Sequence, residues 1–262
     1  MRGRLLALAC ALLYLGFGCL AQQSHAQLTL TGVGGAKSGV AATGCAAIPQ
    51  STLTHCWPMD DAHVSGTTIT DVTGGLNGTA SGAGITSTTG PDGSSGFARA
   101  FDGASFISLA SNPITIRAAV TVACWINVTN VSSGFPRILG FVDSGTDNTQ
   151  IDMDSSGPGK INVQYIANDV EVGHETTAQQ LTSGIWAHVG FTYDGASTLV
   201  VYVNGSSVST GAEGGFSSAT SNIFGARTTG PSNPFTGSES LCVTYSSALS
   251  SGNMAALAAV QK

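Results

Sequence analysis

The chain has 262 residues, with nine Lys plus Arg against fifteen Asp plus Glu, a formal net charge of −6, and 9% of its residues charged. That acidic balance excludes nucleic acid as a partner, because phosphates call for a basic face. Thirty-five glycines among abundant Ser, Thr, Ala and Val favour short strands and tight turns over amphipathic helices.

In chain order, Met1-Arg2-Gly3-Arg4 is followed by an apolar stretch from Leu5 to Leu20 and by small residues at Ala21 and Ser24-His25-Ala26. This is the layout of a secretory signal peptide over residues 1–26, so the mature protein is expected outside the cell or in a periplasm. The apolar stretch is shorter than the ~20 residues a membrane span needs, and no membrane span is expected elsewhere. Residues 27–51, rich in Gly, Ala and Thr, read as a linker with one alternating piece, Leu28-Thr29-Leu30-Thr31. From residue 52 to residue 262 a single domain is expected.

Within it, alternating apolar runs recur between Gly-rich turns: Thr54 to Met59, Phe97 to Leu109, Val120 to Val128, Ile138 to Val142, Gln150 to Met153, Lys160 to Ile166, Trp186 to Tyr193, Leu199 to Val203, Asn222 to Phe224 and Leu241 to Tyr245. Many short strands separated by turn signals predict an all-β sandwich or barrel. Asp194-Gly195 and Asn204-Gly205 are turn dipeptides, and the first joins two alternating strands as a hairpin. A closing helix is predicted over Asn253 to Val260, capped by Ser250 or Ser251. Signal removal leaves four cysteines, Cys45, Cys56, Cys124 and Cys242, an even number that reads as disulfides in an exported chain.

Several segments in order resemble the laminin-G-like jelly roll of the concanavalin A-like lectin and glucanase superfamily. His55-Cys56-Trp57-Pro58-Met59-Asp60-Asp61 looks like the family's first strand, and Asp71-Val72-Thr73-Gly74-Gly75-Leu76-Asn77-Gly78-Thr79 like the loop after it. Ala100-Phe101-Asp102-Gly103 resembles its Phe-Asp-Gly turn, and Val120 to Ile126 its Ala-Trp-Val strand. Trp186-Ala187-His188-Val189 through Asp194-Gly195, followed by Val201-Tyr202-Val203-Asn204-Gly205, is similar to its Trp-x-His-Val hairpin and Tyr-x-Asn-Gly turn. Phe235-Thr236-Gly237 and Tyr245 to Ser250 look like its closing strand. The resemblance implies a two-sheet antiparallel β-sandwich, a concanavalin A-like jelly roll. It also implies disulfides Cys124–Cys242 and Cys45–Cys56.

The same resemblance implies a structural calcium ion, with Asp60, Asp61, Asp71 and Glu239 as candidate ligands. Calcium takes six to eight oxygens, and the acidic pair common on the family's closing strand is replaced by Ser240-Leu241. Asp71 and Asp102 read equally well as turn caps. A second acidic group, Asp143, Asp147, Asp152, Asp154, Asp169, Glu171 and Glu175, reads as a solvated strand face. Glycan binding calls for aromatic stacking beside Asp, Asn or Gln. Tyr165, Phe135, Phe216 and Phe235 are the rings available for it, while Trp57, Trp125 and Trp186 read as core and His188 as structural. Asn77, Asn127, Asn130 and Asn204 head sequons for N-glycosylation.

Glycoside hydrolysis needs two facing carboxylates, and the Glu-x-Asp-x-x-Glu strand of the superfamily's glucanases is missing. The expectation is a secreted, non-catalytic recognition module for carbohydrate or protein surfaces, with calcium as its one candidate cofactor. The alternatives are a disulfide-locked spacer without a specific ligand and a degenerate glycoside hydrolase.

Overall fold

The computed structural model describes residues 44–131, 134–143, 147–153, 157–167, 170–211, 219–230 and 232–260. The expected signal peptide and the linker up to residue 43 lie outside them, as do Asp154, Asp169 and Phe216. Among the described residues there are eighteen strands and one α-helix. The first seven strands are β1 (Leu53–Trp57), β2 (Val64–Ser65), β3 (Thr68–Ile69), β4 (Gly78–Ala80), β5 (Ile85–Thr89), β6 (Ser95–Asp102) and β7 (Ile107–Leu109). The next five are β8 (Val120–Val128), β9 (Arg137–Val142), β10 (Asn148–Met153), β11 (Ile161–Ala167) and β12 (Val170–Thr176). The rest are β13 (Trp186–Tyr193), β14 (Leu199–Val203), β15 (Ser206–Ser207), β16 (Thr210–Gly211), β17 (Ile223–Phe224) and β18 (Thr236–Tyr245), before α1 (Ser251–Ala259).

Two antiparallel sheets result. One runs β15-β14-β13-β8-β18-β6-β5, and β1 also pairs β18; the other runs β16-β12-β11-β10-β9-β17-β7-β4-β3-β2. Side chains alternate in register between them. Val122, Cys124 and Ile126 of β8 join Val189 and Phe191 of β13 on one side, and Leu139, Phe141, Ile151, Val163 and Tyr165 meet them from the other. This is the predicted sandwich, and apolar burial between its sheets is what holds it together.

The first sheet is covered on its outer face as well. Ala123, Trp125, Leu241, Val243 and Tyr245 lie beneath Met254 and Leu257 of α1 and beneath Cys45 and Ile48. With both faces covered, β8 is buried almost throughout and its sequence reads as a nearly continuous apolar run. Ser250 caps α1, its Oγ accepting the Asn253 N–H at 3.3 Å. The helix rests on the Asn204-Gly205 turn, where a Cβ at Gly205, with φ +80°, would come within 2.8 Å of the Ala255 Cα. Only glycine serves there.

β18 organises the first sheet. Its Thr236–Glu239 half pairs β6, its Cys242–Tyr245 half pairs β1, and β8 lines its other edge. The change of partner falls at a bulge, where Leu241 adopts φ +42°. Cys124 and Cys242 are bonded across it, and Cys45 is bonded to Cys56 of β1.

The strands differ from the sequence reading in several places, among them the two-residue strands β15 and β16. The run Phe97 to Leu109 is broken by a turn in which Asp102 Oδ1 accepts the Ala104 and Ser105 N–H groups, and its halves β6 and β7 enter different sheets. β12 and the first half of β18 carry Glu171, Glu175, Ser238 and Glu239, polar residues that hide a strand from an apolar pattern. β2 to β5, built largely from Thr, Ser and Gly, lacked the apolar alternation that marks a strand.

Candidate functional site

Strands β9 to β12 turn Leu139, Phe141, Ile151, Val163 and Tyr165 into the core, and residues on their other face form a polar strip. Asp152 pairs opposite Arg137 and Asn162, and Asn162 opposite Glu175, so these four stand in one row across four strands. Gln150 pairs opposite Gly140 and Gln164, and Gln164 opposite Gly173, making a second row. Neighbouring strands lie about 4.7–4.9 Å apart, so each row spans roughly 14 Å.

The strip is deeply set at one end and open at the other. Arg137, Asp152, Gln150 and Asn162 are fully buried, whereas Glu171 of β12 is exposed. Ala219 crosses the buried end, its N–H donating to Asn148 Oδ1 at 3.3 Å and its Cβ lying over Gly140. Arg137 Nε sits 3.3 Å from Asp152 Oδ2, and Arg137 Nη1 donates to Gln150 Oε1. Burial lowers the Arg137 guanidinium to about 10, against the opposing pull of Asp152. Lys160 Nζ meets Glu175 Oε1 at 2.5 Å, and Gln164 Nε2 donates to Glu171 Oε1. Beyond the strip, Arg117 holds Asp147 through Nε at 2.8 Å.

Of the acidic group, Asp143 and Glu171 are exposed, as a solvated face would have them, and three others are not. Asp147, Asp152 and Glu175 are buried, each with a cation within 3.3 Å, which is how buried charges are normally tolerated. The alternation read from Ile151, Asp152 and Met153 holds, but charge composition alone could not reveal what covers the polar side. Within the strip, Asn162 Nδ2 and Oδ1 and Gln164 Oε1 are buried without a protein partner. Each such group carries a desolvation cost of about 1–3 kcal/mol.

The four candidate calcium ligands go to separate places. Asp60 Oδ1 accepts from the His63 ring at 2.6 Å and from its N–H at 2.9 Å. Asp61 pairs with Arg99 and accepts the Ser87 hydroxyl at 2.9 Å. Asp71 is ringed by donors: His55 Nδ1 at 2.6 Å and the N–H groups of Cys56, Thr73, Gly74 and Leu76 at 2.9–3.1 Å. Burial pushes its carboxyl up, but the His55 hydrogen bond and these amides outweigh that and hold it at about 2. Glu239 lies fully buried between the sheets, where burial raises its carboxyl well above the usual range. Its Oε2 is 3.9 Å from Cys242 Sγ, and its Oε1 has no partner.

Among the described residues, only Cys124, Glu239 and Cys242 bring three candidate metal-ligand atoms within 4.8 Å of one another, and both cysteines are in the disulfide. Asp60, Asp61 and Asp71 are in no such group.

The aromatic residues also sort by burial. Tyr165 and Phe235, read as available rings, are core residues, and Phe135 is half-buried. Trp57 and Trp125 are buried, and His188 is fully buried in edge contact with Trp125 at 5.4 Å. The exposed ring belongs to Phe97, 37% exposed, which strand alternation had assigned to an ordinary strand. The signal in the sequence is the preceding Gly96, whose φ of +83° marks a bulge in β6 between Thr88 and Thr89 of β5.

The two antiparallel sheets define a jelly-roll class of β-sandwich domain, and the sequence places the chain within it. The family model of the concanavalin A-like lectin/glucanases superfamily matches residues 101–254, and the chain belongs to that superfamily. No curated protein matches it. Domain 4 of AbnA, an extracellular GH43 arabinanase from Geobacillus stearothermophilus, solved with arabinotriose, is similar over 80% of this chain and 100% of its own, at 21% identity and TM-score 0.59. The binding domain of botulinum neurotoxin serotype D is similar over 80% of this chain and 51% of its own, at 14% identity and TM-score 0.56. Trypanosoma rangeli sialidase, solved with sialic acid, is similar over 80% of this chain and 33% of its own, at 14% identity and TM-score 0.54. The chain thus spans about half of the toxin domain and a third of the sialidase, and these likenesses are of fold. Among the described residues, no helix is long and apolar enough to cross a membrane.

Proposed function

We propose that this protein is a secreted, non-catalytic recognition module that binds carbohydrate along the polar strip of β9 to β12. The observation that carries the reading is the pair of buried carboxamides: Nδ2 and Oδ1 of Asn162 and Oε1 of Gln164 lack protein partners. Buried polar groups without partners call for an explanation, and a carboxamide offers both donor and acceptor to a sugar hydroxyl. The flanking charges of Arg137, Asp152, Lys160 and Glu175 are already paired, which favours a neutral polyhydroxylated ligand over an ion. Glu171 of β12, which accepts from Gln164 Nε2, is the exposed end of the strip. Two disulfides suit an extracellular setting.

A glycan array, run with and without calcium, tests this. Saturable binding that falls at least tenfold in Asn162→Ala and Gln164→Ala variants supports it. Uniform silence favours the spacer, sugar release on incubation favours a hydrolase, and binding that chelator abolishes brings calcium into the site.

A further inference from the structure

Away from the strip, a groove of about 200 Å³ opens beside the start of the domain, lined by Gly44, Cys45, Ala46, Pro58, Asp60, His63, Val72 and Phe97. Two of the three large apolar side chains exposed among the described residues, Val72 at 42% and Phe97 at 37%, converge on it, and the third, Ile185, does not line it. The walls are fixed. The Cys45–Cys56 bond ties the Gly44–Ala46 turn to β1. Arg99 binds both the Met59 carbonyl, at 3.1 Å, and Asp61, which holds the loop carrying Asp60 and His63. A Cβ at Gly96 would come within 2.5 Å of Asp61 Oδ2, so the bulge that leaves Phe97 exposed also requires glycine for the close approach of this loop.

The polar side of the groove is equally defined. Asp60 uses Oδ1 for both of its bonds to His63, one to the ring Nδ1 and one to the backbone N–H. The orientation of the pair therefore leaves Asp60 Oδ2 and the far side of the imidazole for a ligand. An exposed phenyl ring, an aliphatic neighbour and a fixed acceptor beside an imidazole are complementary to a pyranose or furanose ring, which has an apolar C–H face and a hydroxyl edge. The volume falls below the ~300–1,000 Å³ of pockets for drug-sized ligands, so the groove holds one ring rather than a chain.

We propose that the Phe97 groove is a second carbohydrate site, separate from the strip, that takes a single terminal sugar ring stacked on Phe97 with its hydroxyls on Asp60 and His63. This rests on the reading of the protein as a glycan binder and adds a second point of contact to it. Two weak contacts on one domain would let one branched or multivalent glycan be held more tightly than either site holds its part.

The test is an NMR titration of the isotope-labelled full domain with methyl glycosides of glucose, galactose, mannose, arabinose and N-acetylglucosamine, alongside N-acetyl-leucinamide as an apolar probe. The expected result is saturable shifts at the Val72 methyls and the Phe97 ring with at least one glycoside, at a Kd on the order of 1 mM. Phe97→Ala should weaken this at least tenfold, Phe97→Tyr should preserve it, and Asn162→Ala should leave it unchanged. Shifts confined to the strip overturn the groove and spare the strip reading. Shifts at Phe97 with a silent strip do the reverse. Response to N-acetyl-leucinamide alone, or to no probe, overturns the groove.

Discussion

Asp71 and Glu239 are both buried carboxylates that the sequence offered as ligands of one ion, yet the structure gives them opposite surroundings. Asp71 sits in a loop that turns five donors onto it, and its carboxyl is held at about 2. Glu239 faces the apolar space between the sheets with the disulfide sulfur of Cys242 3.9 Å from its Oε2, and its carboxyl is pushed up. Burial acts on both in the same direction; the number of N–H groups in reach decides the outcome. A carboxylate that folds a loop around itself stabilises the protein, whereas one carried into a core on a strand costs stability.

The largest effect that can break this comparison comes from the disulfides on either side of it. Replacing Cys124 and Cys242 together by Ala opens a loop of 118 residues, and the chain-entropy relation gives a loss of about 5 kcal/mol. The same change at Cys45 and Cys56, 11 residues apart, gives about 3 kcal/mol. Guanidinium unfolding of the two double variants should preserve that order.

Next is Asp71 itself. Its drop from 3.8 to about 2 corresponds to about 2 kcal/mol of stability, present above pH 3.8 and lost as pH falls towards 2. Asp71→Asn should remove about that much at pH 7 and almost nothing near pH 2, as followed by thermal melts across pH.

Glu239 predicts the reverse slope. Its folded-state value is raised, so the fold keeps its full stability below 4.5, the value for the unfolded chain, and loses it as pH rises from there towards the raised value. Glu239→Gln should change little at pH 4 and stabilise by about 1.4 kcal/mol for each pH unit within that window. A variant equally neutral at pH 4 and pH 8 would show that Glu239 has a partner in solution.

The smallest effect concerns calcium. Since Asp71 and Glu239 are engaged or neutral and lie apart, millimolar calcium should leave the melting temperature within about 1 °C, and a larger rise would mean that the carboxylates regroup around an ion.

Much of the fold was legible because both faces of several strands are covered. Val120 to Val128 and Trp186 to Tyr193 were placed with their observed ends, since burial on both faces forces apolar residues along their whole length. The disulfide between Cys124 and Cys242 followed from the resemblance alone, because pairing depends on strand neighbours that spacing does not encode. The site was less legible. Asp152 and Glu175 look like a wet strand face until Arg137 and Lys160 are seen beside them, and both cations come from other strands or strand ends. Phe97 was hidden because a single bulge, set by the conformation of Gly96, reverses the face expected from alternation.

The split edge of β18 has a consequence for how the protein is made. β8 on one side and β6 and β1 on the other all bond to this strand, which follows all three in the chain. A chain still emerging from the ribosome or an export channel has no central strand for its first sheet, and Cys124 has no partner until Cys242 arrives. Folding by long-range pairing of this kind is slow, and partly made chains expose strand edges. The first sheet therefore closes only when β18 arrives, with that strand acting as the latch and the Cys124–Cys242 bond fixing it in place.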